Sequence, residues 1–94
     1  MYAADDVLKQ ESSMPTVLIS GPYRLSFVSF DCKEPIHVHI RRDRNEAKFW
    51  LDPVEMAFNR GFSNKELGEI ERIIIDNDRA IWDKWQEHCG GTTG

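Results

Sequence analysis

Two histidines separated by one residue, His37 and His39, are the side chains in this sequence best placed to do chemistry near neutral pH. An imidazole at its ordinary pKa takes or gives a proton there, and its neutral form offers a nitrogen to a metal. Residues two apart on a strand share a face, so a strand here sets His37, His39 and Arg41 against Ile36, Val38 and Ile40. Three readings follow. The residues can be the polar side of a sheet packed against Trp50, as half-solvated sheets often carry. They can be a face for RNA, in which Arg24, Arg41, Arg42 and Lys48 hold phosphate, Trp50 stacks a base, and the catalytic pair His37 and His39 moves a proton. Or they can be metal ligands, His37 and His39 with Cys32 as a third donor and His88 and Cys89 closing the set from a helix end; zinc is the ion such nitrogen and sulfur donors take.

The charge pattern bears on the second reading. From Lys33 to Lys48 five basic residues face three acidic ones, in a 94-residue chain whose formal net charge is −4. The molecule as a whole is not drawn to nucleic acid or to an anionic membrane, so an RNA partner needs this local patch. No nucleophile elbow, phosphate-cradling glycine loop or zincin pair occurs, which leaves the common hydrolase and nucleotide-binding classes without support. The longest apolar run is Ile73-Ile74-Ile75, far short of the ~20 residues a bilayer demands, so no membrane partner is expected. Two cysteines cannot frame a disulfide-rich secreted domain and no signal segment opens the chain; cytoplasmic thiols are the expectation, with a bridge between Cys32 and Cys89 an artefact of preparation.

The elements that position these residues can be read from their periods. Residues 1–13 are polar and acidic around a lone Val7-Leu8 pair and read as a flexible N-terminal extension; 14–90 form one domain, and 91–94 a disordered tail. Thr16 to Ser20, the Gly21-Pro22 turn and Tyr23 to Phe30 make a hairpin, with Tyr23, Leu25 and Phe27 inward. Glu34 to Leu51 makes a second, turning at Asp43-Arg44-Asn45, with Ala47, Phe49 and Leu51 joining the apolar side. Asp52-Pro53-Val54-Glu55 resembles a capped helix start, with proline at the first helical position, and Gly61 its stop. Ser63 and Glu66 form a capping box that opens a long helix running to Gly90-Gly91, and Leu67, Ile70, Ile74, Ile81 and Trp85 make its buried stripe. The fold class is therefore α+β, an antiparallel sheet of about four strands followed by a short and a long C-terminal helix packed on one face. Ile75 and Trp82, off the main stripe, are a candidate interface for a homodimer or another protein partner.

Several of these motifs are held in common with a known family. Met14-Pro15-Thr16, Gly21 to Arg24, Glu34-Pro35 with His37-Val38-His39, Ala47 to Glu55 and Asn59 to Ser63 resemble the small prokaryotic family called domain of unknown function 4160. The resemblance spans nearly the whole chain from Met14 to Cys89 and carries no established activity. Members are commonly encoded beside another short gene, an arrangement similar to a toxin–antitoxin pair. Many relatives begin at the equivalent of Met14, and Ile36 stands where a second proline is frequent. The expected function is thus a small cytoplasmic binding module, in its enzymatic version a toxin-like ribonuclease; the alternatives are a non-catalytic interaction partner working through its long helix and a metal-binding domain.

Overall fold

The computed structural model describes residues 16–27 and 31–89. The extension expected over 1–13 and the tail over 91–94 lie outside the described residues.

Among the described residues five strands, β1 (Thr16–Ser20), β2 (Tyr23–Ser26), β3 (His37–Arg42), β4 (Asn45–Leu51) and β5 (Val54–Arg60), pair antiparallel in sequence order. Each hairpin turns through two residues. Gly21 takes φ +58° and Asp43 φ +56°, the left-handed region that glycine enters without steric cost and that aspartate tolerates. Period-two alternation sends one set of side chains inward: Tyr23, Leu25, Val38, Ile40, Ala47, Phe49 and Leu51 are all buried. Phe27 and Ile36 extend the same core beyond the strand ends.

The third hairpin departs from the expected helix over 53–60. Asp52-Pro53 is a cis-proline turn, and the residues after it form β5 along the edge of the sheet. Proline after aspartate serves a turn as well as a helix start, and Glu55, Met56 and Ala57 favour helix locally; pairing with β4 overrides that preference. Because β5 is exposed along most of its length, it lacks the alternation that reveals a half-buried strand. Gly61 does adopt a left-handed φ of +104°, but it ends a strand, and a Cβ there would collide with the Asn45 side chain.

Two helices then cover the inner face. Ser63 opens α1 (Asn64–Asp76) with the expected capping box: its hydroxyl accepts from Glu66 N, while the Glu66 carboxylate accepts from Ser63 N at 2.8 Å. A single helix from here to His88 would overhang a sheet whose strands span only ~25 Å. Asn77 divides it, its side-chain amide donating to Ile73 O at 2.8 Å and its backbone N–H to the same carbonyl at 3.0 Å. The second helix, α2 (Asp78–His88), carries the stripe onward, and Ile70, Ile74, Ile81 and Trp85 are buried as the spacing predicts. Ile75 is 47% exposed, whereas Trp82 packs against the core, so the two do not form one exposed strip. No helix among the described residues is long and apolar enough to cross a membrane.

Polar groups fasten α1 to the sheet. The Tyr23 hydroxyl donates to Glu69 Oε1 at 2.7 Å, and Arg42, over the Tyr23 ring, donates to Glu66 Oε2 at 3.1 Å. Burial, and then the Glu69 carboxylate that accepts from the phenol, push Tyr23 above its ordinary pKa of 10.0. Above that pH the unfolded chain releases a proton that the folded one keeps, so stability falls until the folded phenol also ionises. Denaturant titrations from pH 9 to 11 should show wild type losing stability by up to about 1.4 kcal/mol per pH unit more than Tyr23→Phe in that window; parallel losses in the two proteins would contradict this.

Candidate nucleic-acid interface

The face turned away from α1 is described by three rows of cross-strand partners. Arg24, Arg41, Glu46 and Arg60 make the first, Ser26, His39, Lys48 and Phe58 the second, and His37, Trp50 and Glu55 the third. Directly opposed residues share a face, so the expected alternation of His37, His39 and Arg41 against Val38 and Ile40 is present. Ile19, 65% exposed, lies opposite Arg24 at the end of the first row.

The rows differ in what they offer a ligand. At the third, His37 is fully buried, with Nδ1 donating to Pro35 O at 2.8 Å and ring contacts of 5.3 to 5.5 Å to His39, Trp50 and Trp85. That imidazole has the surroundings of a packing residue. His39, its neighbour on the same face, keeps 15% of its side chain exposed and has Nδ1 3.9 Å from Glu46 Oε2. Lys48 donates to Glu34 Oε1 at 2.8 Å and lies 4.6 Å from the Trp50 ring centroid. This cation holds one side of the indole that a base would otherwise stack upon.

The first row is open. Arg24 and Arg41 are both exposed and directly opposite one another, and among the described residues neither pairs with a carboxylate; Arg24 Nε donates only to Thr16 Oγ1 at 3.0 Å. Arg60, by contrast, donates to Glu46 Oε1 at 3.2 Å. Of the cations expected to hold phosphate, Arg42 is on the wrong side. It alternates with Arg41, and its partners Tyr23 and Glu66 belong to the helix-covered face. Phe58, 44% exposed beside Lys48, and Arg60 are additions that the sequence concealed by presenting β5 as a helix.

The expected metal set is assembled only in part: Cys32, His88 and Cys89 come together, without His37 and His39. Cys32 joins Cys89 in a disulfide with Cα atoms 5.6 Å apart, and its neighbouring donor is His88 rather than the pair His37 and His39. The expectation of two separate thiols is therefore corrected. The 3-10 turn Asp31–Lys33 carries Cys32 to the end of α2, where Phe27, Trp85 and His88 pack ring against ring.

Acylation of histidine with diethyl pyrocarbonate, mapped by mass spectrometry, should modify His39 well before His37 in the folded protein. Equal rates at both would show that the third row is as open as the second.

Comparison with curated proteins and with solved structures finds no match to this chain. A family model does match it, over residues 23–86, from the first inward tyrosine of β2 to the last turn of α2 and so across every row of the outer face. The chain belongs to the family described as domain of unknown function (DUF4160).

Proposed function

We propose that the outer sheet face binds single-stranded RNA, with Arg24 and Arg41 as the phosphate site. The observation that carries this is the direct cross-strand pairing of two exposed arginines that share no carboxylate among the described residues. Like charges placed opposite each other in an antiparallel ladder destabilise it by roughly 0.2–1 kcal/mol. A bridging phosphate removes that repulsion and accepts forked hydrogen bonds from both guanidinium groups. His39, Lys48 and Phe58 continue the surface, supplying an imidazole, a third cation and an aromatic face for a base.

In its enzymatic version this is a toxin-like ribonuclease of a two-gene system in the cytoplasm. His39, with Glu46 at 3.9 Å, supports proton transfer to or from a ribose 2′-hydroxyl better than buried His37 does. A second reading has its own support. Met56 and Phe58 are exposed on β5, an edge strand whose outer side has no partner among the described residues, as suits a homodimer or heteromer formed by strand addition.

Fluorescence anisotropy with a labelled RNA oligomer tests the first reading. Arg24→Gln with Arg41→Gln should weaken binding and reduce the slope of log K against log salt by about 0.7, as loss of one shared phosphate contact requires, while Arg41→Gln alone raises stability by a few tenths of a kcal/mol. Unchanged affinity in the double variant would sink the proposal. Growth arrest and RNA cleavage by wild type that His39→Ala abolishes, with any loss of RNA affinity smaller than the loss of cleavage, select the ribonuclease. A sedimentation mass near twice the 10.9 kDa chain, lost in Phe58→Asp while RNA is ignored, selects the interaction reading.

A further inference from the structure

We propose that Cys32, His88 and Cys89 form a zinc site when the cysteines are reduced, and that their disulfide is the oxidised, metal-free state of the same site. One ligand atom from each of the three residues lies within 4.8 Å of the others. Bond lengths of about 2.3 Å to sulfur and 2.0–2.1 Å to nitrogen put tetrahedral zinc ligands roughly 3.5–3.8 Å apart. The cluster therefore needs side-chain rotations, not a rearranged backbone, to close on an ion.

Two further features point to a ligand. The Nε2 atom of His88 is buried and has no hydrogen-bond partner among the described residues. A buried ring nitrogen without a partner costs free energy, and coordination chemistry around the imidazole is one way to recover it. The site also sits where two chain segments meet. Cys32 comes from the 3-10 turn before β3, while His88 and Cys89 come from the end of α2, the two cysteines standing 57 positions apart in sequence. A metal there does the structural work that the disulfide does when oxidised, and leaves one coordination position open to water.

The chemistry balances with a cellular dithiol as reductant. A dithiol gives two electrons to the S–S bond and becomes a disulfide, while the protein gains two thiols. Zinc then displaces two protons as the thiols bind it as thiolates beside the neutral imidazole. Cys32 is exposed and can be attacked by the incoming thiolate.

The full chain, purified without a polyhistidine tag and reduced under argon, should take up one equivalent of zinc measured by elemental mass spectrometry. Cobalt in its place should give a thiolate-to-metal charge-transfer band. Cys32→Ser and Cys89→Ser should each weaken the band and the affinity. His88→Ala should lower affinity by more than the ~10–100-fold that loss of an outer-shell partner alone costs, and His39→Ala should change neither. The oxidised protein should bind none. Reduced wild type that stays folded by circular dichroism yet binds no metal overturns the proposal. So does reduced wild type that unfolds and is not refolded by zinc, or metal uptake that survives Cys32→Ser and is lost with His39→Ala.

Discussion

The rest of this structure depends on a sheet with two unlike sides. Alternation along β3 and β4 commits Val38, Ile40, Ala47, Phe49 and Leu51 to one side and His37, His39, Arg41, Glu46, Lys48 and Trp50 to the other. A slip of one residue in either strand would place arginine and lysine beneath the helices and aliphatic groups in water. The hydrophobic term that seats α1 on one side thus also fixes which charges are displayed on the other. Asn77 serves the same constraint, because two short helices fit over strands that one long helix would overrun.

On the displayed side, packing and electrostatics divide the surface between them. Toward Trp50 the face is closed, and His37 spends its Nδ1 proton on the Pro35 carbonyl and its ring on two indoles. Toward Arg24 and Arg41 it is open and carries unbalanced positive charge in a chain of formal net charge −4. Nothing in the core requires those two guanidinium groups to face each other. Ladder stability alone would select against the arrangement.

Much of this was legible in the residues themselves. The inward sets of β2, β3 and β4, the Ser63 and Glu66 capping box and the Ile70, Ile74, Ile81, Trp85 stripe each agree with the structure because local pattern and burial point the same way. β5 was hidden, since an exposed edge strand imposes no alternation and Asp52-Pro53 reads equally well as a cap or a turn. Phe58 and Arg60 were lost from the candidate site with it. Arg42 was misplaced for a different reason: charge alone put it beside Arg41, although adjacent strand residues face opposite ways. Cys32, His88 and Cys89 were named as donors from their residue types, but that they meet apart from His37 and His39 depends on how the chain folds back, which spacing does not record.

The most direct test of the account is a two-dimensional NMR titration of the isotope-labelled protein with a short single-stranded RNA. Shifts concentrated at the amides and side chains of Arg24, His39, Arg41, Lys48 and Phe58, with Ile70, Ile74 and Ile81 unmoved, are what the account predicts. Shifts confined to α1 and α2, or none at all at RNA concentrations that saturate other sheet-face RNA binders, would contradict it.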